Sequence, residues 1–374
     1  MRYKTFQDLQ LSALGMGCMR LPLKGGNSEI DEEQTARMAA YAMAHGINYF
    51  DTAWGYHGGN SESVMGKILS AYPRDVYHLA SKFPGYDLAN MPKVQEIFAR
   101  QLERCQSEYF DFYLFHNVCE LNIDAYLNEE YGILDHLLKQ KEAGRIRHLG
   151  FSAHGSIPVM ERFLNAYGEH MEFCQIQLNY LDWSLQDAKG KVELLNARHI
   201  PIWVMEPLRG GKLCTLDEEA MSELQKLRPQ ESMSGWAFRF LQSIPGVTMI
   251  LSGMSDMQQL QENIETFADE QPLNEDEMKT LTGIGRRMST SVPCTACRYC
   301  IEHCPQSLDI PELIRLYNDM VYSDGSFSAR NAVNALPADK QPSACIGCGH
   351  CQTLCPQQIH IPDIMRDLAR RISE

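Results

Sequence analysis

Residues 47–59 read Ile47-Asn48-Tyr49-Phe50-Asp51-Thr52-Ala53-Trp54-Gly55-Tyr56-His57-Gly58-Gly59. The apolar run at their start is typical of a short buried strand, and the glycines predict a loop directly after it. An acid, Asp51, and a phenol, Tyr56, therefore stand where a strand ends. If this strand belongs to a parallel barrel, both side chains lie at the end of the barrel where such folds carry their active sites.

The same order, a short apolar run and then an amphipathic stretch, repeats along the chain. After a first strand at 14–19, strands are predicted at 48–53, 77–83, 110–116, 148–153, 174–180, 202–207 and 248–253. Helices are predicted at 31–46, 61–71, 94–107, 125–143, 157–167, 185–197, 234–243 and 273–288. Eight alternations over roughly 250 residues favour an α/β fold, a (β/α)8 TIM barrel over residues 1–288. No G-x-G-x-x-G opens the first helix, which argues against a Rossmann fold.

The overall charge excludes one class of partner. The 374 residues carry a formal charge of −14 at pH 7, and the sequence pI is near 5.3. A nucleic-acid partner requires a basic surface, so we expect none. No apolar run is long enough to span a bilayer, and the start Met1-Arg2-Tyr3-Lys4 lacks a signal-peptide core. We therefore expect no membrane insertion and a cytoplasmic location.

Two further ionisable residues, Lys82 and His116, end predicted strands. A lysine at the end of an apolar strand needs an anionic partner, and Asp51 is the candidate. An ammonium near the Tyr56 hydroxyl is expected to lower the pKa of Tyr56 from about 10, toward a range useful for proton transfer. A neutral His116 could donate a hydrogen bond to a carbonyl oxygen. Each residue alone has an ordinary structural explanation, but four of them at three consecutive strand ends favour a catalytic group.

With these four residues in this order, the chain resembles the aldo-keto reductase family over most of residues 11–263. The resemblance implies hydride transfer between a nicotinamide cofactor and a small carbonyl or alcohol substrate. Tyr56 would be the general acid or base, tuned by Lys82 and Asp51. His116 would orient the substrate, and Trp54 would form a wall of its pocket.

The resemblance also implies a cofactor site, with a less complete match. Ala153 stands where the family usually has an asparagine, and Met205 takes the place of the tyrosine that stacks on the nicotinamide. No Lys or Arg lies between Ile250 and Asn263, where the family commonly has a cation for the 2′-phosphate, so NADP and NAD both stay open. The implied cofactor contacts are Gly17, Ser152, Gln177, Met205, Pro207, Leu208, Gly211, Ser252, Gly253, Ser255, Glu262 and Asn263.

Eight of the thirteen cysteines form two runs near the C-terminus. Each run has the spacing C-x2-C-x2-C-x3-C followed by proline, which is typical of iron–sulfur ligation in which the fourth cysteine binds the other cluster. Zinc sites more often use separated pairs of ligands, and disulfides are disfavoured in the cytosol. The runs are Cys294, Cys297, Cys300, Cys304 and Cys345, Cys348, Cys351, Cys355.

Residues 289–374 therefore resemble a ferredoxin domain with two 4Fe-4S clusters. On the crossing pattern, Cys355 would complete the cluster held by the first three cysteines of the first run. Cys304 would complete the cluster held by the first three cysteines of the second run. Helical stretches predicted at 310–317, at 327–335 and from 361 onward indicate the mainly helical type of ferredoxin-like domain.

The two redox modules together predict an oxidoreductase. Our first hypothesis is a nicotinamide-dependent reductase or dehydrogenase whose clusters connect it to a redox protein. Because a nicotinamide exchanges two electrons and each cluster one, a flavin in the barrel mouth is left open. Two alternatives also stay open: an electron-transfer or docking protein whose barrel no longer turns over nicotinamide, and clusters that are purely structural.

Overall fold

A closed barrel forms the larger part of the chain. The computed structural model describes residues 1–25, 29–288, 292, 294, 297–302, 304–323, 325–355 and 357–374. Within them, an N-terminal hairpin precedes eight parallel strands that close into a barrel in chain order, the last pairing with the first. The predicted (β/α)8 barrel is confirmed.

Most residues of the barrel strands are buried, as a sheet covered on both faces requires. The hairpin strands are β1 (Tyr3–Phe6) and β2 (Leu9–Ser12). The barrel strands are β3 (Leu14–Gly17), β4 (Tyr49–Asp51), β5 (His78–Phe83), β6 (Phe110–Val118), β7 (Ile146–Ala153), β8 (Cys174–Gln177), β9 (Ile202–Met205) and β10 (Val247–Ser252).

Amphipathic helices cover the outside of the barrel. In the helix over Val94–Arg104, for example, Val94, Ile97, Phe98 and Gln101 recur at three- and four-residue intervals and are buried. The barrel helices are α1 (Glu32–Ala44), α2 (Ser61–Leu69), α3 (Val94–Arg104), α4 (Ile123–Tyr126), α5 (Ile133–Glu142), α6 (Ile157–Tyr167), α7 (Asp182–Leu185), α8 (Ala188–Ala197), α9 (Glu218–Leu227), α10 (Met233–Gln242), α11 (Met257–Thr266) and α12 (Glu275–Met288).

Several predicted elements were wrong in detail. The helix predicted over 125–143 is interrupted by Gly132, whose φ of 57° is left-handed. The helix predicted over 185–197 breaks at Asp187, which has φ 49° and whose side chain accepts from the Gly190 amide to begin α8. The hairpin, α9 and α11 were not predicted. Helices α9 and α11 have only ten residues each, and helices this short depend on packing against the barrel for their stability.

The N-terminal hairpin closes one end of the barrel. Phe6 lies against the rings of Phe112 and Trp203, with centroids 5.7 and 5.0 Å away, and Tyr49 belongs to the same buried cluster. These aromatic side chains fill the amino-terminal half of the barrel. The site therefore opens at the opposite end, where the strands terminate.

The C-terminal residues form a mainly helical unit with its own apolar core, as predicted. Residues 289–291 lie outside the described part of the chain, so the domain boundary after 288 stays a prediction. No helix in the described part is long and apolar enough to cross a membrane. The helices are α13 (Tyr299–Glu302), α14 (Ile310–Ser323), α15 (Phe327–Asn334), α16 (His350–Thr353) and α17 (Ile361–Ser373).

Candidate active site and cysteine cavities

Three consecutive strands bring the predicted catalytic residues together at the open end of the barrel. Asp51 ends β4, Lys82 lies one residue before the end of β5, and His116 lies in β6. Lys82 Nζ donates to Asp51 Oδ1 at 2.6 Å and to the Thr52 carbonyl at 2.8 Å. The Tyr56 hydroxyl oxygen lies 3.4 Å from the same nitrogen. The buried cation thus has the anionic partner that its burial requires.

A tight turn after β4 places Tyr56 over the strand ends. Tyr56–Gly59 form a short 3-10 segment in which His57 and Gly58 have φ of 53° and 63°. Glycine adopts this left-handed conformation freely, whereas a histidine there is strained. Nε2 of His57 accepts a hydrogen bond from the Leu21 amide at 3.1 Å, which ties the turn to the loop after β3. Strained backbone of this kind is common at functional sites.

The charge states in this group follow from burial. Burial raises the pKa of Tyr56 to about 12, and the nearby Lys82 ammonium opposes this only in part. The prediction that the pKa of Tyr56 falls below 10 was therefore wrong in its net direction. Burial works to lower the pKa of Lys82, but Asp51 and Tyr56 outweigh it and the pKa is raised. Near neutral pH, Tyr56 holds its proton and Lys82 its charge.

His116 is neutral and lies among aromatic rings. Burial, reinforced by the Lys82 charge, holds the pKa of His116 well below its ordinary 6.5. Its ring stands edge-on to those of Tyr56 and Tyr86, with centroids 6.1 and 5.3 Å away. Its Nδ1 is buried without a hydrogen-bond partner among the described residues. A neutral imidazole can donate one hydrogen bond to a substrate oxygen.

One cleft of about 1360 Å³ is lined by every residue predicted for catalysis or for cofactor contact. Trp54 is not among the described residues that line it, because its ring packs under the Arg104 guanidinium at 3.9 Å. The expectation that Trp54 forms a pocket wall was wrong, and Tyr86 stands beside His116 instead. Besides Asp51, Tyr56, Lys82 and His116, the cleft contains Gly17, Ser152, Gln177, Met205, Pro207, Leu208, Gly211, Ser252, Gly253, Ser255, Glu262 and Asn263.

The polar groups of the cleft suit a ligand with both donors and acceptors. Gln177 donates to Asp182 Oδ2 at 2.9 Å, and Ser152 Oγ accepts from the Asn117 amide at 2.8 Å. The side-chain oxygens of Asn117 and Gln175 are buried without a partner among the described residues. A nicotinamide carboxamide carries an NH2 donor and a carbonyl acceptor. The residues present therefore fit such a group, and their roles toward it stay predictions.

Arg20 is a cleft residue that the sequence did not reveal. It follows β3, and its side chain packs against Gly253, while its carbonyl accepts from Ser255 Oγ at 3.0 Å. Its guanidinium pairs with Glu206 at 2.9 Å. Residues 20 and 253 meet because β10 pairs with β3. The contact between Arg20 and Gly253 could have been suggested only by the predicted closure of the barrel, which pairs its last strand with its first.

Two cavities in the C-terminal unit each gather four of the predicted ligand cysteines. One is lined by Cys294, Cys297, Cys300 and Cys355, and the other by Cys304, Cys345, Cys348 and Cys351. Each therefore joins three cysteines of one run to the last of the other, as the spacing predicts. Within the described residues, no three His, Cys, Asp or Glu are gathered closely enough for a single metal ion. Four thiols around a cavity of otherwise mostly apolar lining fit a 4Fe-4S cluster.

The fold and these sites define an α/β-barrel oxidoreductase joined to an iron–sulfur domain. Residues 13–286 match the aldo/keto reductase family, and residues 293–360 match the 4Fe-4S dicluster domain. The chain belongs to the aldo/keto reductase family. The resemblance seen in the sequence is confirmed for both parts.

Relatives of known sequence align mainly with the barrel. The uncharacterized oxidoreductase YqkF of Bacillus subtilis is 26% identical over 309 residues, which cover 73% of this chain and 92% of that protein. The NADH-specific methylglyoxal reductase of Escherichia coli is 26% identical over 226 residues, covering 55% and 66%.

Solved structures show the same fold. The holo form of the aldo-keto reductase AKR11C1 from Bacillus halodurans superimposes with a TM-score of 0.63 at 23% identity, covering 76% of this chain and 96% of that one. An aldo-keto reductase of Klebsiella pneumoniae in complex with NADPH gives a TM-score of 0.60 at 19% identity, covering 76% and 95%. At these identities the similarity establishes the fold alone.

Proposed function

We propose that the barrel transfers hydride between a nicotinamide cofactor and a small carbonyl or alcohol substrate, with Tyr56 as general acid in reduction and general base in oxidation. The observation that carries the proposal is the part-buried contact of the Tyr56 hydroxyl with Lys82, which is itself paired with Asp51, inside a large cleft. When bound, the cofactor supplies or accepts the hydride. The proton comes from the protein.

Proton transfer from Tyr56 to the carbonyl oxygen leaves a phenolate beside the Lys82 ammonium. Tyr56 holds a proton, and a carbonyl oxygen that gains hydride on its carbon develops negative charge and takes that proton. Lys82 stabilises the resulting phenolate, and Asp51 keeps Lys82 in place. His116, neutral and in edge contact with Tyr56, donates a hydrogen bond that orients the same oxygen.

Ser152 and Gln177 would hold the carboxamide, and the glycine-containing segment after β9, residues 208–213, would lie over the pyrophosphate. Gly210 and Gly211 give that segment φ of 66° and 89°. Arg20 lies beside Ser255 and brings a cation to the segment between Ile250 and Asn263, which contains no Lys or Arg of its own. One relative is named as NADH-specific and another structure contains NADPH. We therefore propose a nicotinamide cofactor without choosing between NAD and NADP.

For the C-terminal domain we propose two 4Fe-4S clusters with crossed ligands, which exchange electrons singly with a redox protein partner. The two cavities with four cysteines each support this number. Helix α14 extends from these cavities, at Ile310, Pro311 and Ile314, to the cleft, at Ser323. At 1.5 Å per residue, Ile314 and Ser323 are about 14 Å apart along the axis.

The test uses cluster-loaded protein under anaerobic conditions. It is mixed with NADH or NADPH deuterated at C4, in both stereochemical forms, and with a small aldehyde. We expect deuterium at the carbinol carbon of the alcohol formed. Absence of transfer, together with no binding of either nucleotide and reversible cluster reduction, would select the alternative of an electron-transfer protein, which Met205 and Ala153 favour.

A further inference from the structure

The iron–sulfur domain supplies part of the wall of the barrel cleft. Ser323 and residues 325–328, here called the wall segment, line the cleft together with the catalytic residues. Phe327 is the large apolar side chain of this segment, and 56% of it is exposed. Ligand pockets are lined mainly by apolar and aromatic side chains, and Phe327 gives this part of the cleft such a side chain.

Local structure fixes the position of Phe327. It is the first residue of α15, and Ser326 caps that helix by accepting from the Ala329 amide. The hydroxyl of Ser326 donates in turn to Asp319 Oδ2 at 2.8 Å, across the turn from α14. Helix α14 ends before Gly325, which has φ 102°. The backbone at Phe327 is thus held by a helix cap and not by a free loop.

A buried ion-pair network ties this turn to the barrel. Arg209, from the segment after β9, pairs with Asp182 of the barrel and with Asp319 of α14, and all three are buried. Gln186 of the barrel also donates to Asp319, at 3.0 Å. Lys212 donates to the Tyr322 carbonyl at 2.9 Å. A network whose acceptors are satisfied on both sides fixes one arrangement of the two domains.

The wall segment shares the cleft with the proton-transfer group. The ring of Phe327 is edge-on to that of His154, with centroids 6.3 Å apart. His154 and His116 line the same cleft. The His116 ring is in edge contact with those of Tyr56 and Tyr86. Aromatic rings of the iron–sulfur domain and of the barrel site therefore line one shared cleft.

We propose that Phe327 is a specificity-determining residue, which selects carbonyl substrates that carry a planar apolar substituent such as a phenyl ring. The inference rests on the proposed function, since the carbonyl is placed at Tyr56 and His116. Aromatic rings pack edge-to-face or offset on one another, so a phenyl group attached to the carbonyl finds partners in Phe327 and Tyr86. A short aliphatic carbonyl has no ring with which to pack on Phe327.

The test compares Phe327→Ala and Phe327→Leu with the wild type in the full, cluster-loaded chain, with benzaldehyde and propanal as substrates. We expect Phe327→Ala to lower kcat/KM for benzaldehyde on the order of ten-fold, through KM, and to leave propanal within two-fold. Phe327→Leu should fall between. Val76→Ala is the control, because Val76 is an apolar side chain, 49% exposed, before β5 at the closed end of the barrel. Equal losses for both aldehydes, or none, would overturn the proposal.

A binding measurement separates this inference from the proposed function. Benzoate, which is not reduced, is titrated calorimetrically into the wild type, Phe327→Ala and Val76→Ala. Weaker benzoate binding to Phe327→Ala alone would support Phe327 as part of the substrate site. This holds even if no carbonyl were reduced, a result that would refute the proposed reaction only. Benzoate binding that is undetectable, or equal in the three proteins, would refute the wall whether or not aldehydes are reduced.

Discussion

At the scale of single residues, Lys82 is a buried charge that requires polar partners. Its ammonium is 1% exposed and is surrounded by the Asp51 carboxylate, the Thr52 carbonyl and the Tyr56 hydroxyl. The sequence predicted the pairing, because a lysine ending an apolar strand requires an acid. It could not predict the raised pKa of Tyr56, since the depth of burial is set by loops from the whole barrel rim.

Replacing Lys82 by Met leaves Asp51 as a buried, unpaired charge. We expect the free energy of unfolding of the barrel to fall by about 3–5 kcal/mol, and the double variant Asp51→Asn/Lys82→Met to regain part of it. Lys67→Met is the matched control, because its pair with Glu32 is exposed and exposed pairs contribute little to stability. The measurement is denaturant unfolding followed by tryptophan fluorescence. A loss no larger than that of Lys67→Met would contradict the buried ion pair.

The raised pKa of Tyr56 sets the expected pH dependence. A hydroxyl with a pKa of about 12 keeps its proton at every pH well below 12, so the acid form is not lost on going from pH 7 to 9. We expect kcat/KM for carbonyl reduction to be constant over this range in initial-rate measurements. Reassay at pH 7 after incubation at each pH controls for inactivation. A decline centred near pH 8 would mean that Lys82 outweighs burial.

At the scale of elements, the strands were predictable and their partners across the cleft were not. The hydrophobic pattern and the length of the segments predict the strands. Because parallel strands end at one edge of a sheet, Asp51, Lys82 and His116 could then be expected to lie close together. Tyr86 and Arg20 enter through loops, and Phe327 through a second domain. No periodic signal marks such contacts, because they depend on how distant segments pack.

Arg209 joins two elements, the segment after β9 and helix α14. Arg209→Met leaves Asp182 and Asp319 buried without their cation, which costs about 3–5 kcal/mol and should loosen the docking of α14. We expect hydrogen exchange in peptides covering 208–214 and 310–323 to accelerate on the order of a hundred-fold. Arg366→Met, which breaks an exposed pair with Asp363, should leave these peptides unchanged. Equal exchange in the two variants would exclude Arg209 as the anchor.

At the scale of the whole molecule, the barrel and the C-terminal unit meet at one cleft, where α14 and α15 supply part of the wall. The cysteine spacing predicted both the metal chemistry and the grouping of ligands, because tight spacing constrains three thiols to one side of a cluster. Nothing in the linear sequence predicted that α14 and α15 would reach the barrel mouth. Buried charges such as Asp319 look like ordinary surface acids until their partners are known.

Paired cysteine variants test the crossed grouping. Cys294 and Cys355 line one cavity, so Cys294→Ser/Cys355→Ser should lose one cluster and about half of the bound iron. Cys345→Ser/Cys355→Ser touches both cavities and should lose nearly all of it. Cys214→Ser, outside the runs, is the control. Iron analysis and electron paramagnetic resonance measure the clusters that remain. A larger loss of iron in Cys294→Ser/Cys355→Ser than in Cys345→Ser/Cys355→Ser would show that the ligands do not cross.

The most direct test of Tyr56 as the proton donor is the turnover of Tyr56→Phe. Carbonyl reduction with NADH or NADPH should fall by about 10²–10⁴-fold in kcat, while nucleotide binding and iron content stay as in the wild type. Tyr3→Phe, at the closed end of the barrel, should turn over normally. Carbonyl reduction by Tyr56→Phe at the wild-type rate would contradict the assignment of Tyr56 as the proton donor.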